Sequence, residues 1–136
     1  MNIFICCSKY NYNKVPEVRA EIEKRGHVIT LPNSYNEPFK EEEIKKIGKK
    51  EHSVWKASMI KKQDEKVAAN DAILVLNFDK NGQENYIGGA TFLEMFKAWE
   101  RGKKIFLYNA IPQGILSDEI NAFSPIIING NLNKIA

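Results

Sequence analysis

Cysteine, histidine and long apolar runs are all scarce in this 136-residue chain, and each scarcity removes a class of function. The two cysteines, Cys6 and Cys7, are adjacent and cannot readily bridge to each other. They sit in an apolar run, where free Cys behaves as a small hydrophobe, a usage that suits a reducing compartment. The two histidines, His27 and His52, have no partners at ligand spacing, so no metal and no organic cofactor is implied. No apolar run approaches the ~20 residues of a membrane helix. No basic leader precedes an apolar stretch. These absences predict a cytoplasmic protein without a membrane partner. Three familiar motifs are missing too: the G-x-G-x-x-G of dinucleotide folds, the G-x-x-x-x-G-K of P-loops and the G-x-S-x-G of hydrolase triads.

Charge of either sign is in only slight excess, with 20 basic against 17 acidic residues. Much of the surplus lies between Lys40 and Lys66, where Lys and Glu alternate as on a solvated helix surface. The same stretch can also form an electropositive rim for an anionic small molecule. A nucleic-acid polymer would need a denser basic stripe with interleaved aromatics, and none is present.

What remains is an ordinary amount of core. The hydrophobic fraction is 43% and the length fits one domain spanning residues 1–136. Short apolar runs alternate with amphipathic segments, the pattern of βαβ units. Strands are expected at Asn2 to Cys7, His27 to Leu31, Ala72 to Leu76, Lys104 to Tyr108 and Ile126 to Ile128. Helices are expected from Pro16 to a stop at Gly26, from Phe39 to about Ala69 with a break at Gly48, over Thr91 to Arg101, and near Ser117 to Ala122. Ser8 to Lys14 reads as a loop. Strands that are apolar throughout imply a mainly parallel sheet of about five strands, covered on both faces. The fold class is therefore α/β, a Rossmann-like or flavodoxin-like three-layer sandwich.

Ligands of such sheets bind beyond the carboxyl ends of the strands. Three segments emerge there: Ser8 to Tyr12, Asn77 to Gly89, and Asn109 to Gly114. The first holds the donors Ser8, Lys9 and Tyr10. In the second, Gly88-Gly89 lets a ligand approach the backbone just before a helix. Glu94 follows near the start of that helix. With Phe92 at 0° and ~100° per residue, Glu94 falls near 200°, opposite the stripe Phe92, Met95, Phe96 and Trp99. That angle places it away from the helix–sheet core, where the helix N-terminus keeps a carboxylate ionised. Asp71 reads as a turn or cap residue, and Asp64 as a second carboxylate able to reach the cleft.

The stretch Asn70 to Pro112, NDAILVLNFDKNGQENYIGGATFLEMFKAWERGKKIFLYNAIP, resembles the nucleoside 2-deoxyribosyltransferase-like superfamily, which includes deoxyribosyltransferases and 2′-deoxynucleoside 5′-monophosphate N-glycosidases. The resemblance is carried by Asn70-Asp71 before the apolar strand, Gly88-Gly89, Glu94-Met95 and Gly102-Lys103. It implies that Glu94 is the nucleophile at the anomeric carbon and that Ser8, Lys9, Tyr10, Asn77, Gly88 and Gly89 bind a nucleoside or nucleotide. A family Asp falls at Gln63 here, with Asp64 one residue later. The transferases' second Asp is replaced by Gly88, and the usual Gly after the nucleophile motif by Phe96. The resemblance implies cleavage or transfer at the N-glycosidic bond; these departures weaken transfer and favour an N-glycosidase, or a non-catalytic nucleotide-binding module on the same fold. Proton donors open to the reaction are Asp64, Tyr10, Tyr12 or a water, and Tyr86 or Trp55 can stack on the base. The family further implies a homodimer or higher homo-oligomer, with Trp55 and Met59 as contact residues.

Overall fold

The computed structural model describes all 136 residues. Five parallel strands form one sheet in the order β2-β1-β3-β4-β5. They are β1 (Asn2–Cys6), β2 (Val28–Thr30), β3 (Ala72–Val75), β4 (Lys104–Leu107) and β5 (Ile126–Ile127). The helices are α1 (Val15–Lys24), α2 (Lys40–Ile47), α3 (Lys49–Ala69), α4 (Gly89–Glu100) and α5 (Ser117–Phe123). The expected elements are all present. Each strand is shorter than its apolar run, because ladder pairing stops before the run ends; Cys7 and Leu76 lie just outside. Ser8 to Lys14 is more ordered than a loop, since Lys9–Lys14 winds into a 3₁₀ helix with the Ser8 hydroxyl accepting the Tyr10 N–H at 3.4 Å.

Alternation along the strands builds two cores. Ile3, Ile5, Ala72 and Leu74 face α1 through Val15, Val18 and Ile22, with Ile128 and Ile135 closing that side. Phe4, Cys6, Ile73 and Val75 face the other layer, meeting Val67 of α3, Met95 and Ala98 of α4, and Ile120 of α5. Full burial of each large side chain is worth ~1.5–3 kcal/mol, and β1 and β3 supply both layers at once. Polar contacts fix where β3 enters. The Asp71 carboxylate accepts the Asn2 N–H at 2.8 Å, as a structural turn residue should. Asn70 donates to the Lys66 carbonyl at 2.7 Å, ending α3.

Strand order reverses between β1 and β3: the chain leaves β1 toward β2 on one side and returns to β3 on the other. Connections after these two strands diverge and leave a crevice at their carboxyl ends, the switch point of the flavodoxin-like order. No helix is long and apolar enough to cross a membrane.

Candidate functional site

A cleft of about 410 Å³ occupies this switch point, a volume suited to a small molecule. One wall is the β1–α1 connection with Ser8, Lys9, Tyr10 and Tyr12; another is the stretch Gly88 to Thr91 that opens α4. The opposite side is a stripe of α3, with Trp55, Lys56, Met59 and Gln63 at spacings of one to two turns, capped by Glu41 and Glu42 of α2.

Glu94 lies at the floor, and it is buried, 5% exposed. The helical-wheel expectation that it avoids the core therefore fails. The stripe that α4 buries is Thr91, Glu94, Met95 and Ala98, while Phe92, Phe96 and Trp99 turn instead to the ring of Phe123 on α5, at 5.6, 6.4 and 5.9 Å between centroids. Aromatic periodicity marked the α5 contact, not the sheet contact. The expected ionised state fails with it. Because α4 opens at Gly89, Glu94 sits in the second turn, beyond the reach of the helix terminus. Desolvation then dominates and pushes its carboxyl up to about 8, although the Cys6 thiol, the Gln63 amide, Lys66 and Lys56 all favour the charged form. Burial raises both neighbouring thiols, that of Cys7 to about 12, so neither is a nucleophile at neutral pH.

Of the other residues singled out from sequence, Ser8, Lys9, Tyr10, Gly88 and Gly89 do line the cleft with Glu94. Lys9 ion-pairs with Glu42 across it. A Cβ on Gly88 would meet the Tyr86 hydroxyl at 3.1 Å, whereas one on Gly89 meets nothing within 4 Å. Two residues are elsewhere. Asp64 turns away on α3 and forms a two-pronged ion pair with Arg101 at 3.0–3.2 Å, which holds its carboxyl below the usual range. The residue one position earlier, Gln63, takes the inward place, since successive helical positions point about 100° apart and the docking of α3 on α4 turns this one toward the cleft. Asn77 is a clamp rather than a contact. It is fully buried, donates to the carbonyls of Asn109 and Ala110 at 3.2 and 3.0 Å, and accepts the Asn109 N–H at 2.8 Å, tying the ends of β3 and β4.

Several cleft residues had no sequence signal of their own. Lys80 stands over two rings, 4.2 Å from the centroid of Tyr10 and 4.5 Å from that of Tyr86, a cation–π sandwich between segments 70 residues apart that no local pattern announces. Glu41 gathers His52 at 2.9 Å and Lys56 at 3.2 Å; burial alone would raise its carboxyl, but these bonds hold it low. The Lys40 to Lys66 segment thus supplies the polar wall that its alternating charges permitted. Trp55, which the sequence also offered for stacking on a base, and Met59 line the cleft. Tyr12 packs on Tyr35 with centroids 5.4 Å apart, and burial raises its phenol well above the ordinary value. Nowhere does the fold gather three or more His, Cys, Asp or Glu side chains able to hold one metal ion. Comparison with protein-family models, with curated proteins and with solved structures finds no match.

Proposed function

We propose that this chain cleaves the N-glycosidic bond of a nucleoside 5′-monophosphate or nucleoside, as an N-glycosidase of the nucleoside 2-deoxyribosyltransferase-like kind. One observation carries the reading: a single buried carboxyl, Glu94, lies at the floor of a nucleotide-sized cleft at the sheet's switch point. A desolvated carboxylate is a poor isolated anion but a strong partner for a cation pressed against it. The positive charge that develops at C1′ during glycosidic cleavage is such a cation.

In this scheme the Glu94 carboxylate attacks C1′. The C1′–N bond breaks, its electron pair stays on the departing base, and the base takes up a proton. With Asp64 turned outward and the Tyr12 phenol pushed up by burial, Tyr10 and water remain as proton sources. Water then opens the glycosyl ester, releasing the sugar and regenerating Glu94. The reactive, ionised form is about one molecule in ten at pH 7 for a carboxyl titrating about 8, so the rate should climb with pH up to that point. Lys80, Ser8 and the uncapped start of α4 offer the phosphate a cationic and N–H-rich end.

The competing reading, a nucleotide-binding module without turnover, is favoured by the largely protonated resting state of Glu94. Incubating the protein with nucleosides and 5′-monophosphates, ribo and deoxy, and following free base by chromatography separates the two. Base released by wild type and not by Glu94→Ala supports the glycosidase. Binding without release from any substrate supports the module. Assembly as a homodimer or larger homo-oligomer belongs to the same proposal, and sedimentation tests it.

A further inference from the structure

Gln63 is buried in the wall of the cleft, 7% exposed, and it is an amide where an apolar side chain would pack as well. Its nitrogen donates to the Ala90 carbonyl at 3.1 Å. Ala90 lies one helical turn before Glu94 on α4, so this bond ties α3 to the turn that presents the carboxyl. The same amide reaches the Glu94 carboxyl itself and favours its charged form. An amide nitrogen carries two N–H donors, enough for both partners. Both partners are acceptors, so the amide has one workable orientation. Turned over, its oxygen would face the Ala90 carbonyl and the carboxylate. The oxygen is accordingly left inside the protein with no partner. An unpaired buried acceptor is destabilising, and an apolar side chain of the same shape would avoid it. Packing does not account for an amide at this position; the two acceptors on α4 do.

The titratable groups around Glu94 are less suited to hold it. Cys6 has one weak S–H donor, which points at the Phe4 carbonyl at 3.8 Å. Burial raises the thiols of Cys6 and Cys7 and the phenol of Tyr12, so all three stay neutral around pH 7. Lys66 is bonded to the Leu31 carbonyl at 2.9 Å and Lys56 to Glu41 at 3.2 Å, and both act on Glu94 through charge alone.

Resting on the glycosidase reading for what Glu94 attacks, we infer that Gln63 is the positioning residue of the nucleophile, with one N–H of its amide anchored on the Ala90 carbonyl and the other offered to the Glu94 carboxylate at the cleft floor. Gln63 touches no reacting atom and acts only through Glu94. It stabilises the charged form that burial opposes, and it holds that form in one orientation.

Nuclear magnetic resonance of the isotope-labelled full chain, titrated from pH 4 to pH 10, tests this without requiring turnover. In wild type, one Gln63 side-chain N–H proton should move with the same midpoint as the Glu94 carboxyl carbon. In Gln63→Met, which keeps the volume and removes both donors, the Glu94 midpoint should rise by about one pH unit, a tenfold change in proton affinity. Base release by that variant should show its pH dependence displaced upward by the same amount with KM little changed. A side chain that only packs would instead lower kcat alike at every pH. The inference is overturned if the Gln63 signals ignore the Glu94 titration, or if the midpoint in the Met variant is unchanged or lower. Should that variant not fold, the coupling in wild type decides alone. Coupled titration without base release would leave the hold of Gln63 on Glu94 standing and remove the glycosidase; base release with uncoupled titrations would do the reverse.

Discussion

Replacing Glu94 by Gln removes the only acidic side chain in the buried interior while keeping its size and its place beside Gln63 and Cys6. The consequence for stability follows from its titration. In the folded chain the carboxyl titrates about 8 against an ordinary value of 4.5. Between those values the folded state holds a proton that the unfolded state has released, so rising pH favours unfolding. The contribution is fully present below pH 4.5 and is lost as pH rises through about 8. Each pH unit inside the window is worth ~1.36 kcal/mol, so from pH 5 to pH 8 wild type should lose roughly 4 kcal/mol that the Gln variant does not. The residue is buried, so solvent screening subtracts little. Urea unfolding of both proteins at pH 5, 6, 7 and 8 supplies the difference in unfolding free energy, and subtraction cancels every other group that titrates alike in the two. The difference should fall steadily across the series. A flat difference would mean that Glu94 titrates as an exposed carboxyl does and that the cleft floor is wet. A difference growing with pH would mean that the charged form is the one the fold stabilises. Either result would refute the burial argument and, with it, the expected rise of base release with pH.

Other perturbations probe the frame around that carboxyl. Asn77→Ala should destabilise the protein by about 2–4 kcal/mol in urea or thermal unfolding, because it strands three backbone groups of the segment after β4 that the side chain now satisfies. Asp64→Ala should leave both base release and unfolding midpoint essentially unmoved, since its partner Arg101 lies with it at the surface; loss of release would return Asp64 to the catalytic set. Lys80→Ala should weaken 5′-monophosphates about tenfold while leaving the free nucleosides nearly unchanged, and added salt should narrow that gap. Equal losses for both ligand kinds would place the phosphate elsewhere.

How far these features were legible in advance differs with their range. Five apolar runs, a Pro at the start of α1, Gly after α1 and α4, and Gly48 between α2 and α3 are local signals, and each marks an element that the structure contains. They suffice for the α/β class, for parallel pairing and for a cleft near Ser8 to Tyr10 and Gly88-Gly89. The orientation of Glu94 was beyond them. A helical wheel reports the most apolar face, but α4 packs on the sheet, on α3 and on α5 at once, and its aromatic face went to α5. The buried face carries Thr91 and Glu94 beside Met95 and Ala98, because the first turns of α4 close the floor of the cleft next to Cys6 and Gln63. The exchange of Asp64 for Gln63 has the same origin: successive helical residues point about 100° apart, and only the docking of α3 on α4 decides which looks inward. The amino-acid sequence by itself determined the elements, their order and the segments that can reach the switch point, because those depend on neighbours within a few residues. Tertiary structure alone decided the protonation of Glu94, the ring sandwich around Lys80 and the choice of Gln63 over Asp64 as the residue that faces the cleft. Each of these depends on desolvation or contact between segments far apart in the chain.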